Sequence, residues 1–272
     1  MSNKSNQFIN SSIRKSEFSN EFLNFINALN EIKIIDLSIF LKNLKTLKIQ
    51  TVNSIVNYNI FSKDIISAYY EVIGNTIIIS RKYKHISFYH ELFHVASSYY
   101  DKETIYCGLS RISCKNTSSI GKFLNEGYTE LLTQRYFPSK NNNAYTFEKN
   151  VASIIEDIVG RETMYECYFK ANLPKLITCL SKYSDEKQVL KFLSQKHKLE
   201  SNKIVKSFVK DIYFKKLKED FKNGLITRNE LISKIKNYLN VLKKHDIDDE
   251  LFDTFKEELL ISNEDKKKSS SI

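Results

Sequence analysis

The sequence predicts an α+β fold that is predominantly helical, with a small β-sheet or hairpin beside one buried helix and a helical C-terminal half. Three observations carry this. Only six glycines and two prolines punctuate 272 residues, too few for a turn-rich sandwich or barrel. Apolar residues recur at helical spacing along most of the chain. Gly74-Asn75, between two β-prone runs, is a two-residue hairpin signal. A hydrophobic fraction of 42%, with 16 Tyr and 18 Phe, is that of a folded globule with a core of its own.

Residues 1–16 are polar and Ser/Asn-rich and are expected to be a disordered tail. Residues 17–138 form the first folded part. Phe18, Phe22, Phe25, Ile26 and Leu29 mark one amphipathic helix. Leu37, Phe40, Leu41, Leu44 and Leu47 mark a second, with Asp36 as its N-cap. The strands Ala68–Ile73 and Thr76–Ser80 then lead into a helix around residues 86–96. A further helix has apolar residues at 120, 123, 124, 128, 131 and 132. Ser139–Asn143 after Pro138 is the clearest interior loop and the best boundary. Residues 139–198 continue in helices, one through Val151, Ile154, Ile155 and Ile158 ending at Gly160, the next opening at Leu173-Pro174. Residues 199–262 read as an appended helical region. Its stripe is Ile204, Val205, Phe208, Val209, Ile212 and Tyr213, stopped at Asn223-Gly224, and Thr227-x-x-Glu230 is a capping box for the next helix. Residues 263–272 are a second tail expected to be disordered.

The chemistry is concentrated in His90-Glu91-Leu92-Phe93-His94. Histidines four apart lie about 40° from each other around a helix and roughly 6 Å along it, so both imidazoles reach one metal ion. Glu91 then points beside that ion, where a carboxylate can act as general base toward a metal-bound water. A catalytic zinc usually takes three protein ligands and leaves a fourth position open. The third is sought in the helix holding Asn125-Glu126-Gly127, where Glu126 and Glu130 stand one turn apart. Two such carboxylates among apolar neighbours repel unless each has a cationic or hydrogen-bonding partner. Glu126 as ligand to Zn2+, and Glu130 as acceptor of the outer N–H of His90, would supply both partners.

These two motifs resemble the gluzincin metallopeptidases, over about residues 76 to 137. The resemblance implies a zincin-like catalytic core across 17–138, with 139–198 closing one wall of the cleft. It implies His90, His94 and Glu126 as zinc ligands, Glu91 as the catalytic base and Glu130 as the outer acid. The substrate would be a peptide or protein, laid along the strand that borders the cleft, for which Thr76–Ser80 is the candidate. One departure is the spacing: Glu126 lies thirty-two positions after His94, longer than in thermolysin-like enzymes and long enough for a strand pair or loop. A donor for the developing oxyanion is sought among His85, Tyr89, Tyr128, Arg135, Tyr136 and Tyr165. Two alternatives stand beside the peptidase reading: a helical interaction protein with a relic zinc site, and a zinc hydrolase acting on a non-peptide bond.

The net charge of +10 does not translate into a nucleic-acid partner. Residues 203–244 hold twelve basic against four acidic residues, and residues 246–260 hold seven acids against Lys256. Such blocks of opposite sign neutralise each other or face solvent, and no basic stripe interleaved with aromatics accompanies them. Neither a signal peptide nor an apolar run of eighteen residues is visible, so no membrane partner is expected and a cytoplasmic protein is the simplest reading. Cys107, Cys114, Cys167 and Cys179 have no metal-site spacing and read as reduced thiols. Cys107 and Cys114 are the pair to check for a disulfide.

Overall fold

The computed structural model describes residues 17–32, 37–53, 55–59, 62–82, 84–115, 118–138, 145–196 and 199–243. Both expected tails, the Asp36 cap, the Ser139–Asn143 loop and the acidic block at 246–260 lie outside the described residues. The chain is mixed α+β and mostly helical. It divides into two compact units, Met1–Asp220 and Phe221–Ile272.

In the first unit, helix α1 (Ser19–Glu31) buries Phe22, Phe25, Ala28 and Leu29, the apolar stripe expected of it. Helix α2 (Ser38–Leu44) ends before Leu47, because the chain turns at residues 45–46 and leaves as strand β1 (Lys48–Val52). The helical stripe that seemed to include Leu47 therefore runs into a strand. Strands β2 (Ile55–Asn59) and β3 (Ser62–Ile66) pair as an antiparallel hairpin. Strand β4 (Ala68–Glu71) pairs antiparallel with β5 (Thr76–Ser80), closing at Glu71 and Thr76. The connection is thus four residues and not the two-residue turn that Gly74-Asn75 suggests, and Asn75 takes the left-handed conformation at φ 46°. Its side chain explains why: Asn75 Nδ2 donates to Asn43 O at 2.7 Å and to Thr46 Oγ1 at 2.8 Å. The hairpin is thereby tied to the end of α2.

The sheet order is β1-β5-β4, with β1 parallel to β5. This corrects one expectation. Thr76–Ser80 is an interior strand hydrogen-bonded on both sides, so it has no edge to offer a substrate; β4 is the edge strand. Ser80 N donates to Ser67 O at 2.9 Å, which fixes the alternation along the pair. The N–H and C=O groups of Ala68 and Tyr70 therefore face away from β5.

Helix α3 (Lys84–Ala96) follows and is buried on nearly every side, with Phe88, Leu92, Phe93 and Val95 fully covered. Aromatic rings from α1 and from Phe18 just before it seat the helix. Phe18 stacks on Phe88 at 4.3 Å, and Phe25 meets Phe93 edge-on at 4.8 Å. Asn43 Nδ2 donates to Val95 O at 2.9 Å and to Ser98 O at 2.7 Å, satisfying carbonyls where the helix ends.

The long interval after His94 is occupied by a four-stranded antiparallel meander, β6 (Ser98–Tyr100), β7 (Thr104–Cys107), β8 (Ser110–Ser113) and β9 (Ser119–Ile120). Asp101 turns the first corner, accepting the backbone N–H groups of Glu103 and Thr104. Cys107 pairs with Ser110, whereas Cys114 lies beyond the end of β8 and its N–H bonds Glu103 O. The meander keeps the two thiols apart, and all four cysteines are free.

Helix α4 (Lys122–Tyr136) packs along α5 (Thr146–Val159). They approach closely at Gly127, where an added Cβ would lie 2.2 Å from Glu148 O and 2.3 Å from Glu148 C. The third residue of Asn-Glu-Gly is thus required by packing. Replacing a helical Gly by Ala ordinarily gains about 1 kcal/mol. Here the clash is with backbone, and overpacking costs typically about 1–3 kcal/mol. Gly127→Ala is expected to lower the urea midpoint; an unchanged or higher midpoint would contradict this packing.

Helices α6 (Arg161–Phe169), α7 (Leu173–Leu180), α8 (Glu186–Leu193) and α9 (Leu199–Lys222) complete the described part of this unit, the last crossing its boundary. Pro174 sits in the first turn of α7, and Asn172 caps it by accepting Lys175 N. Along α9 the expected stripe is buried except for Ile204, which is exposed. In the second unit, Gly224 turns the chain at φ 71°. Thr227 and Glu230 form the capping box of α10 (Arg228–Lys243), with Thr227 N donating to Glu230 Oε2 at 2.7 Å and Glu230 N to Thr227 Oγ1 at 3.3 Å.

Candidate metal centre

Helices α3 and α4 bring three side chains together. The donor atoms of His90, His94 and Glu126 all lie within 4.8 Å of one another. Glu126 Oε2 is 3.3 Å from His90 Nε2 and 3.5 Å from His94 Nε2. A tetrahedral zinc with ligand bonds of about 2.0–2.1 Å has ligand-to-ligand edges of about 3.3–3.4 Å. The two edges from Glu126 match that value, so the group could hold a divalent ion, and two imidazoles with one carboxylate are a donor set that zinc takes.

The histidines are buried, and so is Glu91 on the same helix. Without metal they share protons with Glu126. Burial opposes charging His90, but hydrogen bonds with Glu126 and Glu130 outweigh it and push its pKa up to about 9. His94 is held well above the usual range, against burial, by Cys107 and Glu126. Glu126 is held well below the carboxylate range; burial acts the other way, and the charge on His94 with the hydrogen bonds from both histidines prevails. Glu91 lies beside this group and its pKa is raised, chiefly by burial, while both histidines and the backbone N–H of Tyr70 act against the rise. A buried carboxyl with raised proton affinity has the property wanted of a group that takes and returns a proton.

Glu130 is fully buried one turn beyond Glu126. His90 Nδ1 donates to Glu130 Oε2 at 3.2 Å. Gln134 Nε2 donates to the other oxygen at 3.0 Å, and Lys149 Nζ to Gln134 Oε1 at 2.7 Å. This chain of bonds fixes the His90 ring from behind.

The group opens on a cleft of about 500 Å³. One side is the free edge of β4, through Ala68 and Tyr70; another is a face of the meander, through Ile105, Ser110 and Ile112. None of the oxyanion candidates whose side chains are described lines it. Tyr89 stacks on Phe137 at 3.8 Å. Tyr128 donates to Glu156 at 2.8 Å, Arg135 grips Glu156 through two bonds of 2.6 and 3.0 Å and donates to Tyr165 Oη, and Tyr136 bonds Tyr165 at 2.8 Å. These four, with Glu156, form a structural cluster around the Arg135–Glu156 ion pair between α4, α5 and α6. The side chain of His85 lies outside the described residues.

Tyr69, Tyr70 and Tyr145 do line the cleft, none of them singled out by the sequence, and of these Tyr145 lies against the His90 ring. It is the N-cap of α5, held left-handed at φ 55°, and its ring stacks against His90 at 5.7 Å between centroids. Burial, followed by the charges of Glu126 and Glu91, raises its pKa, so the hydroxyl keeps its proton. Tyr70 also borders the cleft, but its hydroxyl donates to Asn75 Oδ1 at 2.8 Å. No protein family, curated protein or solved structure matches the chain. Among the described residues, no helix is long and apolar enough to cross a membrane.

Proposed function

We propose that this protein is a zinc-dependent peptidase of the gluzincin type with a zincin-like catalytic core. The observation that carries the reading is the convergence of His90, His94 and Glu126 donor atoms within 4.8 Å of one another, with Glu126 Oε2 3.3 and 3.5 Å from the two imidazole Nε2 atoms and the buried Glu91 carboxyl beside them. Bound zinc would polarise the scissile carbonyl and lower the pKa of a water toward about 7. Glu91 takes the proton of the attacking water and passes it to the leaving amine. The Tyr70 backbone N–H holds Glu91 at the cleft. Tyr145, protonated and facing the same space, is the donor for the developing oxyanion. The outward groups of Ala68 and of the Tyr70 carbonyl give an extended peptide an edge to pair with.

The test is metal content of the purified chain beside Glu126→Gln. About one zinc per wild-type chain is expected, with affinity about 100-fold or more weaker in the variant, since a three-ligand site has lost a ligand. Stoichiometric zinc unaffected by the variant would move the third ligand elsewhere. No zinc in the wild type, after metal is offered, would sink the enzyme reading and leave an interaction protein.

A further inference from the structure

The two histidines of the centre are held differently at their outer nitrogens. His90 Nδ1 meets the Glu130 carboxylate. His94 Nδ1 meets Cys107 Sγ at 3.4 Å and Asn125 Nδ2 at 3.5 Å. A neutral imidazole that binds metal through Nε2 carries its proton on Nδ1 and needs an acceptor there. Asn125 cannot be that acceptor. Its Oδ1 accepts the buried backbone N–H of Leu109 at 2.9 Å, so the face it turns to His94 is its NH2 group. Flipping the amide would set donor against donor at Leu109 and leave a buried N–H without a partner. The same NH2 group lies 3.7 Å from Cys107 Sγ, to which it donates.

We propose that Cys107 is a positioning residue: its sulfur accepts the Nδ1–H of His94 and so aims the Nε2 lone pair at the metal. Two N–H groups, from His94 and Asn125, converge on this one sulfur. The surrounding turn is built to keep it there. Cys107 ends β7, and Gly108 follows at φ 54°, where an added Cβ would lie 2.2 Å from Asn125 Oδ1 and 2.6 Å from the Tyr168 ring. Only glycine lets Leu109 N reach Asn125, and Asn125 then stands against both the sulfur and the imidazole. One ligand is thus backed by a carboxylate and the other by a thiol.

The inference rests on the metal reading above, and the experiment separates the two. Zinc affinity of the full chain is measured by chelator competition for wild type, Cys107→Ala and Cys107→Ser, alongside the thermal midpoint of each metal-free protein. Cys107→Ala should bind zinc about 10- to 100-fold more weakly, the usual effect of losing an outer partner of a ligating histidine. Cys107→Ser, which keeps an acceptor, should recover much of that loss and keeps the test open should the alanine variant fold poorly. Metal-free midpoints of the serine variant and wild type should agree while their zinc affinities differ from that of alanine. Wild-type affinity in Cys107→Ala overturns the inference and leaves the metal reading intact. So does an intense sulfur-to-metal charge-transfer band in the cobalt-substituted wild type, which would make Cys107 a direct ligand. Absence of zinc from the wild type removes the metal reading, and this inference with it.

Discussion

Glu91→Gln is expected to lower peptide hydrolysis by about 10²- to 10⁴-fold, the usual range for loss of a general base, with zinc content unchanged. The substitution is close to isosteric. Gln keeps an oxygen to accept the Tyr70 N–H that now holds Glu91, so the buried site need not collapse around it. What it loses is the ability to take a proton. Glu91 is one residue from His90 and three from His94 on α3, so its side chain leaves the helix on a different bearing from the two imidazoles. The measurement is hydrolysis of a peptide library by both proteins, with metal analysis of the same samples. Unchanged turnover would move the base elsewhere. Loss of zinc would mean that Glu91 is itself a ligand and that the site is assembled differently.

The grouping of His90, His94 and Glu126 was legible as far as each half of it depends on local geometry. His90 and His94 share a helix, as do Glu126 and Glu130, and spacing of one turn places each pair on one face whatever the remainder of the chain does. What was not legible depends on contacts between distant segments. Thr76–Ser80 looked like the strand at the cleft because it leads into α3. It is interior because Lys48–Val52 pairs with its far side, and that run carries no alternation strong enough to mark a strand. The interval after His94 is long enough for a strand pair or loop, but the four-stranded extent of the meander was not legible, for a related reason. Its strands are two to four residues long, too short for a period of two to stand out. Tyr145 had no signal at all, since an N-cap in left-handed conformation after an Asn-rich run of sequence belongs to neither periodicity. The four oxyanion candidates from Tyr128 to Tyr165 failed because composition cannot say which polar aromatic faces a cleft. Glu156 claims Tyr128 and Arg135, and Arg135 and Tyr136 both bond Tyr165.

Zinc binding is expected to release close to two protons per ion at pH 7 and to tighten about 100-fold per pH unit while both must leave. In the metal-free protein His90 is pushed up to about 9 and His94 well above its usual value, so both imidazoles are charged at neutral pH. Each must be neutral at Nε2 to bind zinc. Glu126, held well below the carboxylate range, is already ionised and contributes no proton. The slope should therefore fall by one proton as pH passes about 9. Stability moves the opposite way without metal. A folded-state pKa raised above the unfolded value adds stability that is fully present below about 6.5 and is lost as pH rises through the folded value. The metal-free midpoint should thus decline between pH 6.5 and about 9, where the zinc-dependent rise in midpoint grows. Calorimetric titrations in buffers of different ionisation enthalpy give the proton count, and thermal melts with and without zinc give the two opposed trends. Zinc binding that is independent of pH from 7 to 8, with no proton release, would mean neutral histidines in the metal-free protein and a site held open by something other than the shared protons of His90, His94 and Glu126.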